Sequence, residues 1–242
     1  MGFLPGQLSI ADSVPTIESV SFLGRRLKRI DTRLLTETVL IMVAVVWAIK
    51  VFGDNWFVTP CILVSAVIIP TVIKKSSLSE IGLSLGQTRH SLVVLGWTCL
   101  VVFPAMFCGL WLLKSYGLNL PLRPVLPQNQ QWVSWLFYQF MYVAVAEEVF
   151  FRGFLQSNIL RLMNTVMAGW PAQQCWVSIV ISAACFAAAH MIVQGQIISV
   201  LTFLPGLVLG WLFIRTKSLL APILFHGLAN MSYYVMAGVF AA

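Results

Sequence analysis

With 242 residues, of which 59% are hydrophobic and only 10% charged, and a mean hydropathy of +0.89, the chain is not a soluble globular domain, which carries roughly 25% charged residues. Its net charge of +7 does not signal nucleic acid, because the basic residues sit in short clusters beside apolar runs, the pattern that orients a protein in a membrane. The length allows six to eight spans of about 20 residues each. The expected fold is therefore all-α: a polytopic transmembrane helix bundle of about seven spans, forming one domain over 34–242 behind an N-terminal segment at 1–33.

Residues 1–33 are mixed and polar and end in Arg25-Arg26-Leu27-Lys28-Arg29 and Arg33. They read as a cytoplasmic or interfacial segment drawn to anionic lipid. Met1 to Gly6 lacks the basic start and apolar core of a cleavable signal peptide. The first span runs from Leu34 to Phe52, with Lys50 near its end and able to snorkel. A turn at Gly53 to Trp56 leads to a second span, Phe57 to Ile73, with Pro60 and Pro70 near its ends. Lys74 to His90 is a polar loop. The third span is Leu92 to Leu113. The long connection that follows holds Pro121, Pro124 and Pro127, a spacing that forbids a continuous helix.

The fourth span starts near Gln131 and continues past Glu147 and Glu148 towards Arg161. Asn164 to Gln174 reads as a loop. The fifth span begins near Cys175 and passes through His190. The sixth covers Ile197 to Ile214, with a kink expected at Pro205-Gly206. The last starts near Leu219, passes His226 and ends near Phe240. With the amino terminus inside, five basic clusters share one side: Arg25 to Arg33, Lys74-Lys75, Arg89, Arg161 and Arg215 to Lys217. Only Lys114 and Arg123 fall opposite. The expected setting is a multi-pass protein of a prokaryotic plasma (inner) membrane with a cytoplasmic amino terminus. Five cysteines (Cys61, Cys99, Cys108, Cys175 and Cys185) form no CxxC and read as packed free thiols.

Polar chemistry is concentrated late in the chain, at about 131–240. After Glu80 the only acidic residues are Glu147 and Glu148. Each ionisable group at membrane depth costs about 3 kcal/mol on insertion scales, so the pair marks a functional site. Residues four apart share a helix face and neighbours point about 100° apart. Glu148 can therefore pair with Arg152 along its own helix, while Glu147 points elsewhere. This gives Glu148 an orienting role and Glu147 a reactive one. An ion pair that only locks helices is the bland alternative.

His90 lies in a polar loop and reads as surface. His190 closes Phe186-Ala187-Ala188-Ala189-His190, whose small residues let a neighbour approach closely. His226 and Asn230, four apart, share one face of the last span. Either histidine can be interhelical glue. Together with the Glu pair they suggest one cavity. A Glu and a His can deprotonate water and later protonate a leaving amine, and a second His with an Asn amide can stabilise an oxyanion. That is a kit for peptide hydrolysis. A zinc site from Glu147, His190 and His226 is the alternative, although HExxH spacing is absent. Simple span limits set His190 towards the outer end of the fifth span and Glu147 nearer the inner half of the fourth.

Glu147-Glu148-x-x-x-Arg152, Phe186-x-x-x-His190 and His226-x-x-x-Asn230 resemble, in order, the three signature motifs of the CPBP superfamily. That superfamily holds CAAX proteases and bacteriocin-processing enzymes, the Abi family, including the Ras-converting CAAX prenyl endopeptidases. The match covers about residues 131–235. The resemblance implies a glutamic-type intramembrane endopeptidase without cofactor, once classed as a metalloprotease. By motif, Glu147 activates water with His190, Glu148 and Arg152 support the site, and His226 and Asn230 stabilise the oxyanion. The expected partners are the lipid bilayer and a membrane-anchored peptide or protein substrate. A proton-coupled transporter is the rival from another class. Transporters usually show repeats in matching halves, whereas here the polar residues crowd the second half.

Overall fold

The computed structural model describes residues 31–53, 57–73, 88–118, 132–167 and 169–240. The N-terminal segment up to residue 30, the 74–87 loop, most of the 53–56 turn and the proline-rich connection from 119 to 131 lie outside the described residues. Within the described residues the structure is helical, with no strand.

Helix α1 (Thr32–Phe52) starts on Asp31, whose side chain accepts from the Leu34 N–H at 3.0 Å and so satisfies one orphan donor of the first turn. At its far end Lys50 donates to the Val193 carbonyl at 3.4 Å. Helix α2 (Val58–Ile73) has 16 residues, about 24 Å at 1.5 Å per residue. Its buried stripe is Pro60, Leu63, Val67 and Thr71. Helix α3 (Thr88–Ser115) buries only Ser91, Leu95 and Thr98 and exposes large apolar side chains such as Trp97, Leu100 and Trp111. It begins earlier than expected. His90 therefore stands in its first turn, exposed, with Nε2 3.4 Å from the Arg215 carbonyl.

Helix α4 is continuous over 132–166 and runs through Gly153. Helix α5 (Pro171–Gln194) takes up residues expected in a loop. Pro171 is its first residue, where a missing N–H costs nothing, and Gly195 at φ 65° ends it. A 3₁₀ turn (Ile197–Thr202) feeds helix α6 (Phe203–Thr216). Pro205, where a mid-span kink was expected, therefore lies in the first turn of α6. Helix α7 is Leu220–Phe240.

α1, α3, α5, α7 and the stretch Ile197–Thr216 are each long and apolar enough to cross a membrane, and α2 is a shorter apolar helix. The protein is a multi-pass membrane protein. α4 is its central helix: every residue from Val149 to Gln156 is buried. One core cluster gathers α1, α2 and α5 around Phe150 and Phe151 of α4. A second joins α3, α6 and α7 around Phe225 and Leu212. No cysteine is paired, and Cys61 and Cys108 are exposed rather than packed.

α4 and α5 pack together across the short turn at 167–170. Glu147 lies 166 − 147 = 19 residues before the end of α4 at Val166, and His190 lies 190 − 171 = 19 residues after the start of α5 at Pro171. The two are thus level. Both helices are longer than a standard span, which is why simple span limits set the two residues at different depths.

Candidate active site

The Glu pair sits in one ordinary α-turn (Val145–Glu148) between two π-helical stretches, Tyr138–Ala144 and Val149–Gln156. Wider turns of this kind are rare and often mark functional sites. Glu148 and Arg152 are both fully buried. Arg152 Nη1 donates to Glu148 Oε1 at 2.9 Å, the pairing expected from the sequence. Arg152 Nη2 donates to the Gly206 carbonyl at 3.2 Å, and its guanidinium lies 4.6 Å from the centre of the Phe186 ring. Aromatic faces attract such cations.

His226 of α7 completes the Glu148 shell, its Nδ1 lying 2.7 Å from Glu148 Oε1. A carboxylate only accepts, so Nδ1 carries the proton and Nε2 is turned to Glu147, 3.8 Å from Oε2. His190 is held differently. Its Nδ1 lies 3.0 Å from the Phe186 carbonyl, again an acceptor only, so this Nδ1 also donates. His190 Nε2 then faces Glu147 Oε2 at 3.7 Å. Glu147 Oε2 is buried and has no hydrogen bond among the described residues. Both distances exceed direct hydrogen-bond range.

Asn230, one turn beyond His226, also reaches α4: its Nδ2 donates to Gln139 Oε1 at 2.8 Å. An amide nitrogen has two N–H groups, so one remains for another acceptor. Next to His226, Gly227 lets α7 meet the first π stretch, since an added Cβ would run into the Phe140 ring. Gln156, one turn beyond Arg152, donates to the Gly210 carbonyl at 3.0 Å. Arg152 and Gln156 thus match Gly206 and Gly210 of α6 at equal four-residue spacing. A Gly-x-x-x-Gly in an apolar helix is a known signal of close packing. It could have pointed to this seam, whereas Gln139 lies in an apolar run with no such mark.

Residues 129–232 match the family described as type II CAAX prenyl endopeptidase Rce1-like. This stretch is thus similar to CAAX proteases of the CPBP superfamily. The matched stretch carries all six motif residues. The similarity is to hydrolases of the CAAX-protease type, in keeping with a membrane-spanning fold. Comparison with curated proteins and with solved structures gave no match.

A metal site of the alternative kind needs three or more ligands about 2.0–2.3 Å from one point. Among the described residues, no group of three or more His, Cys, Asp or Glu side chains is arranged to hold a metal ion.

Proposed function

We propose that this protein is an intramembrane endopeptidase that hydrolyses a peptide bond of a membrane-anchored peptide or protein tail, with Glu147 and His190 activating water. The observation that carries this reading is the placement of Glu147 Oε2, 3.7 Å from His190 Nε2 and 3.8 Å from His226 Nε2. A water beside Glu147 loses its proton to the carboxylate as its oxygen attacks the carbonyl carbon. His190, with its Nδ1–H fixed on the Phe186 carbonyl, presents a bare Nε2 that takes up and returns a proton. The proton then passes to the leaving amine as the C–N bond breaks.

The developing oxyanion takes the second Asn230 N–H and, from a doubly protonated His226, the Nε2–H. Glu148 supplies the negative charge that balances such a ring. Arg152 fixes Glu148 and is itself fixed by Gly206 and Phe186. The two adjacent glutamates thus divide the work: Glu148 positions and Glu147 reacts.

The basic clusters favour a cytoplasmic amino terminus. α1 then ends on the opposite face, as does the start of α4. The mouth of the site beside these ends opens away from the cytoplasm.

The test is purified protein in proteoliposomes with membrane-tethered peptides, the products sequenced by mass spectrometry. New peptide termini made by the wild type and not by Glu147→Gln are expected. Proton-coupled uptake of peptide without cleavage would contradict the reading.

A further inference from the structure

A half-open cleft of about 270 Å³ ends on Glu147. One wall is α4, with Tyr138 and Tyr142. The other is the first turns of α2, with Thr59, Pro60 and Leu63. None of these α2 residues belongs to the family-matched stretch at 129–232. α2 nevertheless packs directly on the α-turn that carries the Glu pair and on the π stretch after it.

The chemistry of the walls is mixed in a defined way. Pro60, Leu63 and Val143 are apolar. Tyr138 and Tyr142 stack at 5.9 Å between ring centres, and Phe57 meets Tyr142 edge-on at 5.7 Å. Among the described residues no cationic side chain lines the cleft, and the carboxylate that lines it is Glu147. Its volume is below the roughly 300–1,000 Å³ of pockets that enclose a drug-sized ligand. The space suits one apolar side chain with its stretch of backbone rather than a whole lipid-modified tail. Its continuity with Glu147 sets which side chain that is: one next to the bond being cut.

We propose that the first turns of α2 form the specificity wall of the site, admitting an unmodified aliphatic or aromatic side chain beside the scissile bond, with Thr59 and Leu63 setting its size. This rests on the proteolytic reading above. Leu63 is only 2% exposed and belongs to the main core, so it is a poor position to alter. Thr59 is half-buried at the open part of the wall and can be enlarged without removing core contacts.

The probe is a lipid-tethered peptide series, identical except for Ala, Leu or Trp at each position in turn, given to wild type, Thr59→Leu and Thr59→Trp in liposomes. Thermal unfolding checks that the variants fold. The Leu-to-Ala ratio of kcat/KM at the position flanking the cut is expected to fall about tenfold or more in Thr59→Trp, with Thr59→Leu intermediate. An unchanged ratio in both folded variants overturns the specificity wall and leaves proteolysis standing. A photo-leucine version of the same peptide gives a readout independent of cleavage. Its adducts in Glu147→Gln are expected on 57–63 and are expected to decline when Thr59→Trp is added. Adducts elsewhere overturn the proposal. Adducts on 57–63 with no cleavage of any peptide by the wild type would keep the peptide cleft and remove the proteolytic reading.

Discussion

His226 Nδ1 meets Glu148 Oε1 at 2.7 Å, on the same oxygen that receives Arg152 Nη1 at 2.9 Å. One buried carboxylate oxygen thus closes a turn of α4 and ties α4 to α7. Removing it in Glu148→Ala leaves Arg152 as an uncompensated buried cation. The expected cost is about 3–5 kcal/mol, read as a lowered unfolding midpoint of the detergent-purified protein. A variant as stable as wild type would contradict this role.

Phe186 serves both sides of the site. Its ring carries the Arg152 guanidinium, and its carbonyl orients His190. Phe186→Leu keeps the carbonyl but loses the aromatic face. A loss of about 2 kcal/mol is expected for a desolvated cation–π contact. The His190 hydrogen bond should survive, so activity per folded molecule should fall less than in His190→Gln. Stability and kcat measured on the same preparations separate the two effects.

Asn230 and Gln139 act as one unit through their 2.8 Å hydrogen bond. Asn230→Ala is expected to lower kcat by about 10²–10³-fold, as loss of an oxyanion donor does. Gln139→Leu should lower it by less, through loss of orientation. The double variant should be no worse than Asn230→Ala alone, since coupled residues are not additive. Fully additive losses would show that Gln139 acts elsewhere.

Gly227 is required by the approach of Phe140. Gly227→Ala should destabilise the protein by about 1–3 kcal/mol, the usual range for overpacking. Adding Phe140→Ala should restore part of that loss. No rescue in the double variant would mean that the clash is not the cause.

The orientation can be read by chemical labelling. In a chain with its five cysteines replaced, Phe57→Cys places a thiol at an exposed position just before α2. A membrane-impermeant maleimide should label it from outside intact cells. Labelling only after the membrane is opened would reverse the orientation, and with it the face on which the cleft opens.

What could be read from the sequence follows from the range of the interactions involved. The Glu148–Arg152 pair lies within one helix, so spacing alone gives it. The shared face of His226 and Asn230 is legible for the same reason. The His226–Glu148 bond, the double use of Phe186 and the Asn230–Gln139 bond join separate helices, and spacing along the chain carries no such information. The π-helical stretches were equally hidden, because the composition of 132–166 does not register a widened turn. From sequence, Pro171 reads as a loop residue and Pro205 as a kink. Both instead occupy first turns, where a missing donor is harmless.

The central claim is that Glu147 activates water with His190 without a metal ion. Its most direct test is the cleavage rate of a membrane-tethered peptide by wild type and Glu147→Gln, each with and without exhaustive chelation. The expected result is a loss of about 10²–10⁴-fold in Glu147→Gln, as for removal of a general base, and a wild-type rate unchanged by chelator. Wild-type activity abolished by chelation and restored by zinc, or Glu147→Gln cleaving as fast as wild type, would contradict it.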